Sequence, residues 1–143
     1  MVTVGLITAP DLPTTITYVV IAARYDGGWL FVRHRERGGY ELPAGHPDEG
    51  EDSVEAAVRE LMEETGAIDF AIEPVTCYWV DTGSGKKFGR LFLASVDTLG
   101  EIADSDEIEG VRIFRRLPHD LSLPEVMTFL YRTAARYLRY TRL

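Results

Sequence analysis

Three glutamates and an arginine fall within eight residues of this chain, in the segment RELMEETG from Arg59 to Gly66. Each residue of an α-helix turns the chain by about 100°, so Glu60, Glu63 and Glu64, at i, i+3 and i+4, share one face. Like charges at this spacing repel one another, and a solvated helix face usually intersperses lysines that relieve the repulsion. Here only Arg59, four residues before Glu63, is available to oppose it.

The helix alone leaves two interpretations of this acidic face open. Clustered carboxylates supply the hard oxygen ligands that Mg²⁺ or Mn²⁺ prefers, commonly together with phosphate oxygens of a substrate. The alternative is an acidic surface that is merely solvated. The rest of the helix is predicted to face the core through an apolar stripe formed by Val54, Ala57, Val58, Leu61 and Thr65.

The residues upstream of the helix distinguish between these interpretations. Counting from Gly45, five residues precede Glu51, seven more precede Arg59, and the pattern then continues without a gap to Gly66. This spacing resembles the signature of the Nudix hydrolases, Gly-x5-Glu-x7-Arg-Glu-U-x-Glu-Glu-x-Gly-U, where U is a bulky aliphatic residue. Every fixed position matches, and the one departure is the last U, which is Ala67 here.

The resemblance implies a reaction and the residues that perform it. In this family, Mg²⁺ ions bridge helix glutamates and a diphosphate, and a water activated by the metal attacks one phosphorus. By matching position, Glu60, Glu63 and Glu64 would be ligands of Mg²⁺ or Mn²⁺, and one of them is a candidate base. Arg59 would orient a glutamate through a salt bridge, and the backbone carbonyl of Ala44 would add a metal ligand.

Two further acidic residues are assigned by the same resemblance. Glu51 is expected to hold the loop to the helix rather than to contact the metal. Nudix enzymes often recruit another glutamate from a late loop, and in the segment Gly100–Gly110 we favour Glu107 over Glu101 and Glu109. The alternative is that this charge run is only solvated.

Substrate contacts are expected around the glycine-rich loop that leads into the helix. Backbone N–H groups near Gly45 and the helix N-terminus can meet phosphate oxygens. Arg33 and Arg35 precede this loop, and Arg90 follows the helix. Each could bind a terminal phosphate or a base. The alternative for each is an ordinary surface charge. Further basic candidates are Arg37, Lys86 and Lys87.

Aromatic and histidine side chains give weaker signals. Tyr40, Tyr78 and Trp79 could stack on a base, but alternating aromatic residues in strands more often belong to the core. The histidines, which are His34, His46 and His119, show no spacing that suits zinc.

A framework of strands and helices must position these residues. Runs rich in β-branched and aromatic residues predict strands, and Asp26-Gly27-Gly28 and Gly83-Ser84-Gly85 predict two hairpin turns. The loop from Glu36 to Asp52 is irregular because it is rich in glycine and proline. The predicted strands are Thr14–Tyr25, Trp29–Arg35, Val75–Thr82, Phe88–Val96 and Val111–Leu117.

Two helices complete the framework. Asp52 or Ser53 is predicted to cap the first helix, and Gly66 is predicted to end it in a left-handed conformation. The second helix is predicted to open at the capping box Ser122–Glu125 and to continue to about Tyr140. Strands between two helices predict an α/β protein, and the resemblance implies the Nudix-type α/β/α sandwich with a mixed β-sheet between helices.

Bulk composition narrows the class of protein. The chain has 143 residues, which predicts a single domain spanning 1–143. A net charge of −8 argues against general binding of nucleic acid or of an anionic membrane. Cys77 is the only cysteine, and the longest apolar run near the N-terminus, Tyr18–Ala23, is too short to cross a bilayer. We therefore expect a cytoplasmic monomer or homodimer that acts on a small-molecule nucleotide.

The substrate is predicted from a second resemblance. The segment HRERGGYELPAGH resembles the Nudix branch that hydrolyses nucleoside triphosphates, oxidised guanine nucleotides included, to monophosphate and pyrophosphate. The small size of the chain, and the absence from Trp79–Gly83 of a proline common in ADP-ribose enzymes, also favour this branch. Because LPAG also occurs in ADP-ribose and nucleotide-sugar pyrophosphatases, these remain an alternative. A nucleotide-sensing module without turnover is a second alternative, although such proteins typically lose signature glutamates that this chain retains.

Overall fold

The computed structural model describes residues 1–7 and 15–141, in which eight strands form one mixed sheet between two helices. The helices are α1 (Ser53–Thr65) and α2 (Pro124–Thr141). The strands are β1 (Thr3–Leu6), β2 (Tyr18–Tyr25), β3 (Gly28–His34), β4 (Tyr40–Glu41), β5 (Ala44–Gly45), β6 (Ala67–Asp81), β7 (Lys86–Leu99) and β8 (Ile108–Phe114).

The order of strands across the sheet is β1-β6-β7-β2-β3-β4, and in addition β5 pairs with β2 and β8 pairs with β3. β2 runs parallel to β7, with Tyr18 opposite Gly89, whereas β6 and β7 form a long antiparallel hairpin. β2 and β3 pair only beside their shared turn, at Arg24↔Trp29 and Tyr25↔Gly28. The far end of β2 is therefore available to pair with β5, the strand that carries the signature glycine.

Alternation along β2 explains why both faces of the sheet are covered. Val19 and Ile21 pack in the cluster that contains Leu61 of α1, whereas Val20 and Ala22 pack in the cluster that contains Leu130 of α2. Successive side chains of a strand point to opposite faces, so a strand buried on both sides is continuously apolar. The predicted α/β/α sandwich with a mixed sheet is confirmed.

The ends of α1 are fixed by residues that the sequence indicates. The Asp52 side chain accepts a hydrogen bond from the Glu55 backbone N–H, and the Glu55 side chain accepts one from the Asp52 N–H, which completes a capping box. Gly66 ends the helix at a φ of 78°. A Cβ at this position would also press against the carbonyl oxygen of Gly100, so glycine is required on both grounds.

Several predicted boundaries are corrected by pairing between distant strands. β6 begins at Ala67, directly after α1, and β7 continues to Leu99, so the second hairpin is much longer than predicted. The added part of β6 pairs through register shifts and contains Pro74, which hides its alternation in the sequence. β8 starts at Ile108 instead of Val111 because it pairs along nearly all of β3.

The remaining corrections concern helix packing and the termini. Val54 is 42% exposed, and Ala56 takes a buried place that the predicted stripe did not include. α2 begins at Pro124, preceded by Leu123 at a φ of 49°, so the helix starts later than the predicted capping box at Ser122.

β1 was not predicted, and it pairs with the end of β6. The predicted start of the first strand, at Thr14, lies outside the described residues. In the described part of the chain, neither helix combines the length and the apolar character needed to span a membrane.

Candidate active site

Two of the signature glutamates line a cavity of about 480 Å³ between α1, the loop before it and the start of α2. Glu60 and Glu64 lie on the α1 side, together with Ala44 and Gly45 of the loop. Four apolar lining residues, Val20, Tyr78, Val126 and Met127, belong to the core cluster on the α2 side of the sheet, and the rest of the apolar lining is formed by Tyr18, Val80 and Leu123. The cavity therefore joins a carboxylate end to a hydrophobic end.

Contact between Gly45 and Glu60 explains why the signature begins with a glycine. A Cβ built on Gly45 would overlap the carboxylate of Glu60. Glycine thus allows the loop backbone to approach the helix glutamate, and the pairing of Gly45 with Val19 holds the loop there.

Arg59 connects the helix to the loop. Its Nε and Nη2 atoms each donate a hydrogen bond of 2.9 Å to Glu51, and Nη2 also donates to the carbonyl oxygen of His46 at 3.1 Å. Its Nη1 donates to Glu60 Oε1 at 2.9 Å and to Glu63 Oε2 at 3.3 Å. The prediction that Glu51 holds the loop to the helix is confirmed by these contacts, and Arg59 is placed to orient both Glu60 and Glu63.

The carboxylates around this cavity are in contrasting electrostatic environments. Hydrogen bonds from Arg59, aided by the Asp48 N–H, lower the pKa of Glu51 to about 2. Burial raises the pKa of Glu64 to about 8, although the Ala44 N–H donates to its Oε1 at 3.0 Å. Burial also raises the pKa of Glu60, and the contact with Arg59 offsets this only in part.

Burial raises the pKa of both Glu60 and Glu64 because it disfavours the ionised carboxylates, and a bound cation would oppose that effect. A hard divalent cation fits this role, because the donors available in the cavity are carboxylate and carbonyl oxygens. Across residues 1–7 and 15–141, no three His, Cys, Asp or Glu side chains already converge as a ligand set. Small Mg²⁺ commonly completes its coordination with substrate phosphate oxygens, so Glu60, Glu64 and the Ala44 carbonyl would have to supply only part of its ligand set.

The other two predicted metal ligands, Glu63 and Glu107, differ in where they lie relative to the cavity. The Glu63 side chain is 41% exposed, faces Arg59 and is not among the residues that line the cavity. Glu107 lines the cavity, as an additional ligand should, but it is otherwise exposed. The assignment of both as metal ligands stays a prediction.

Three arginines predicted to contact substrate lie outside the cavity. Arg33, Arg35 and Arg90 direct their donors instead to the Asp120 carboxylate, the Ser105 carbonyl and the Ser53 hydroxyl, respectively. Their positions give no support to a role in binding at this site. Arg37 does line the cavity, and it donates a hydrogen bond of 2.7 Å to Glu41 Oε1.

Of the three aromatic candidates, only Tyr78 lines the cavity. It is buried with its ring packed over Gly89, and its burial raises the pKa of the phenol. Tyr40 makes an edge contact with Phe114 elsewhere on the sheet, and Trp79 packs under Lys86.

Sequence reasoning missed two buried polar residues beside Glu64. His34 Nε2 lies 3.0 Å from Glu41 Oε1 and 3.5 Å from Glu64 Oε2. Burial alone would raise the pKa of Glu41, but the contacts with His34 and Arg37 outweigh it and lower that pKa. Alternation along β3 was a usable signal, because it puts His34 on the same face as Leu30, which packs against α1.

The mixed sheet between two helices carries a carboxylate cavity whose donors suit a divalent cation, and the comparisons with known proteins assign this arrangement to a class of hydrolases that act on phosphorus-containing anhydrides. The family model described as "NUDIX domain" matches residues 13–136, and the chain belongs to the Nudix family. Members of this family generally require a divalent metal.

Known relatives and structures agree with this assignment. The chain is 33% identical to "Putative 8-oxo-dGTP diphosphatase YtkD" of Bacillus subtilis (strain 168), over 79% of this chain and 71% of that protein. It is 31% identical to an ADP-ribose pyrophosphatase of the same organism, over 66% of this chain and 54% of that protein. Its fold is similar to that of the B. subtilis pyrophosphohydrolase BsRppH, with a TM-score of 0.81 and 26% identity over 98% of this chain and 90% of the other.

Proposed function

We propose that this Nudix hydrolase is a Mg²⁺- or Mn²⁺-dependent diphosphatase that cleaves a nucleoside triphosphate to monophosphate and pyrophosphate. The observation that carries the proposal is the two-ended cavity. Glu60 and Glu64 provide the carboxylate end, and the apolar lining with Tyr78 provides the other. In such a cavity, a cation and the substrate phosphates would bind at the carboxylate end, and a nucleobase would bind at the apolar end.

Within this proposal, each residue at the carboxylate end has a task. Glu60 and Glu64 would hold the cation together with the Ala44 carbonyl, and Glu63 and Glu107 are further candidate ligands. When bound, the cation neutralises phosphoryl charge and lowers the pKa of a water molecule. Arg59 orients Glu60 through its Nη1 hydrogen bond of 2.9 Å.

Glu64 is the candidate base. Its Oε1 accepts the Ala44 N–H, and its Oε2, which lies 3.5 Å from His34 Nε2, is the candidate atom to take the proton from an attacking water. A nearby cation favours the ionised form, which is the form that a base requires.

Arg37 is the candidate phosphate ligand. Among the described residues that line the cavity, it is the one lysine or arginine. Its side chain is 55% exposed and is fixed at one Nη atom by Glu41, so its other donors are available to phosphate oxygens. This assignment replaces Arg33, Arg35 and Arg90.

The choice of substrate is supported by the relative named as an 8-oxo-dGTP diphosphatase. An ADP-ribose or nucleotide-sugar pyrophosphatase is the second candidate, supported by the relative of that type at 31% identity. Both candidate activities would use the same carboxylates. The difference between them would lie in which substrate group packs against the apolar lining of the cavity.

A substrate panel tests the proposal. Purified protein would be incubated with Mg²⁺ and dGTP, 8-oxo-dGTP, ATP, ADP-ribose or UDP-glucose, and the products would be separated by ion-exchange chromatography. We expect a triphosphate to give the highest kcat/KM, with pyrophosphate as a product. A tenfold preference for ADP-ribose or the nucleotide sugar would transfer the proposal to the second candidate. Binding without any turnover would instead identify a nucleotide sensor.

A further inference from the structure

Buried polar side chains are rare in this protein, and most of them meet at one place. Among the described residues, four polar or charged residues are buried: His34, Glu41, Glu64 and Thr65. Thr65 satisfies its hydroxyl locally, donating to the Leu61 carbonyl oxygen at 2.6 Å. The other three, with exposed fractions of 9%, 4% and 2%, converge beside the cavity.

The contacts among these three residues are close but incomplete. His34 Nε2 lies between two carboxylates, 3.0 Å from Glu41 Oε1 and 3.5 Å from Glu64 Oε2, without a well-aligned hydrogen bond to either. Glu41 Oε1 already accepts a hydrogen bond from Arg37. Glu64 Oε1 accepts the Ala44 N–H, so His34 is the polar group that faces the second oxygen of Glu64.

Alternation along β3 places the imidazole there, and a β-bulge lies opposite it on β8. The β3–β8 ladder pairs Arg33 with Gly110 and then His34 with Ile108, so Glu109 is an extra residue on β8. Bulges of this kind bend a strand and redirect a side chain, and they are frequent beside active sites. Here the extra residue, Glu109, lies on β8 across from His34, the residue of β3 that approaches Glu64.

Stability alone does not explain the choice of histidine at this position. A buried polar atom without a good hydrogen bond lowers the stability of the fold, whereas an aliphatic side chain of similar size would carry no such penalty. A histidine at this position is therefore explained better by a role in orienting the Glu64 carboxylate that it faces than by the stability of the fold.

We propose that His34 is a positioning residue, which fixes the Glu64 carboxylate toward the cavity while Glu41 holds the imidazole from behind. This inference rests on the proposed role of Glu64. It also connects the candidate metal ligand to the candidate phosphate ligand, because Arg37 binds the same Glu41 oxygen that faces His34. Residues that orient a metal ligand typically contribute 10–100-fold to metal affinity or activity, on the order of the effect expected here.

Three variants test the inference. His34→Leu removes the polar atom with little change in size, and His34→Gln keeps an N–H donor at a similar reach. His119→Leu, at an exposed histidine outside the cavity, is the matched control. Circular dichroism would establish that each variant folds.

Two readouts separate positioning from a purely structural role. The first is kcat and KM for the best nucleotide of the panel, and the second is Mn²⁺ binding to nucleotide-free protein, followed by electron paramagnetic resonance into the millimolar range. For His34→Leu we expect kcat to fall by roughly 10–100-fold, KM to stay within about threefold, and Mn²⁺ affinity to weaken by about tenfold. His34→Gln should recover most of both losses, and His119→Leu should match the wild type.

A His34→Leu protein with kcat and Mn²⁺ affinity within about threefold of wild type would overturn the inference. Equal impairment of His34→Leu and His34→Gln with unchanged Mn²⁺ affinity would overturn it as well. If His34→Leu does not fold, Glu41→Gln provides the test, since it keeps the side-chain volume but weakens the support behind His34, and an unchanged kcat would count against positioning. The Mn²⁺ titration remains informative even if no panel nucleotide is hydrolysed, so failure of the proposed function and failure of this inference are distinguishable.

Discussion

Arg59 and Glu51 form a two-point contact, in which Nε and Nη2 of the guanidinium each lie 2.9 Å from a carboxylate oxygen. This fork geometry fixes the direction of Arg59, and with it the hydrogen bonds that Nη1 gives to Glu60 and Glu63. Glu51 therefore influences the cavity through Arg59 without lining it.

The first prediction concerns acid stability. The pKa of Glu51 is lowered to about 2 in the folded protein from an ordinary value of 4.5, so its stabilising effect is complete above pH 4.5 and is lost as the pH falls towards 2. Glu51→Gln should be less stable than wild type at pH 6, and this difference should shrink as the pH falls below 4.5. Urea-induced unfolding of both proteins at a series of pH values measures this difference in the free energy of unfolding.

Glu49→Gln is the control for this experiment, because Glu49 is an exposed glutamate in the same loop. It should follow the wild type at every pH. A Glu51→Gln deficit that stays constant from pH 6 to pH 3 would show that charge pairing with Arg59 is not its cause.

The second prediction concerns the reaction itself. Glu64→Gln keeps the side-chain volume and removes the ionised carboxylate proposed as ligand and base, so the rate should fall by several orders of magnitude while the fold is retained. Initial rates with the best panel nucleotide measure the effect, and Glu49→Gln again serves as the control. Retention of more than about a tenth of the activity, a barrier change of only ~1.4 kcal/mol, would contradict the assignment.

The third prediction follows from the raised pKa of Glu64. Because that pKa is about 8 in the folded protein and near 4.5 when unfolded, the folded state binds more protons between these values. The stability of the metal-free protein should therefore fall as the pH rises from 4.5 to 8, by on the order of a few kcal/mol. Denaturant melts in EDTA measure the slope.

Glu64→Gln should flatten much of this slope, since it cannot ionise. Saturating Mg²⁺ should flatten the wild-type slope as well, because a bound cation favours the carboxylate. Parallel curves for wild type and Glu64→Gln in EDTA would show that Glu64 ionises normally in the folded protein.

The fourth prediction separates a metal ligand from a structural partner of Arg59. The contact of Glu63 with Arg59 is long and its side chain is 41% exposed, so Glu63→Gln should change the stability in EDTA by less than about 0.5 kcal/mol. If Glu63 binds the cation, the variant should also show a smaller rise in melting temperature when Mg²⁺ is added. For wild type with Mg²⁺ at ten times Kd, that rise corresponds to about 1.4 kcal/mol, or a few degrees.

Thermal melts at constant ionic strength, each with EDTA and with Mg²⁺ up to millimolar concentrations, give both values. Destabilisation of the EDTA form by more than ~1 kcal/mol would make Glu63 a structural partner first. An undiminished Mg²⁺ effect would remove it from the ligand set.

The fifth prediction assigns phosphate binding to Arg37. Arg37→Ala should raise KM for the triphosphate by roughly 10–100-fold, since one charge-assisted hydrogen bond to phosphate is worth roughly 1.5–3 kcal/mol. Arg112→Ala, an exposed arginine outside the cavity, should leave KM unchanged. Steady-state kinetics with both variants measure the difference in KM. An unaffected KM in Arg37→Ala would contradict the assignment of Arg37 as a phosphate ligand.

Features that depend on neighbouring residues were predictable from the sequence. The caps of α1, the hairpin turn at Asp26 and Gly27, and the spacing of the signature each depend on a few consecutive residues. The first half of β6 escaped prediction because distant pairing with β7, with register shifts, imposes its strand geometry.

The same distinction applies within the site. Glu60 and Glu64 were found because the signature contains them, whereas His34 and Glu41 reach Glu64 only after β3, β4 and α1 have come together. Arg33 and Arg35 were candidates by closeness along the chain, but side chains alternate along a strand, and His34 rather than either arginine faces α1.

Parallel pairing of β2 with β7 also has a consequence for how the protein folds. The β6–β7 hairpin joins neighbouring segments and can form early, whereas pairing Tyr18 with Gly89 must close a loop that contains the whole signature segment. In refolding followed by stopped flow, hairpin structure should therefore appear before the protein can bind nucleotide. The carboxylate cavity would therefore be among the last parts of the protein to form. A chain released before β7 has been synthesised would contain the signature helix α1 but could not complete the cavity beside it.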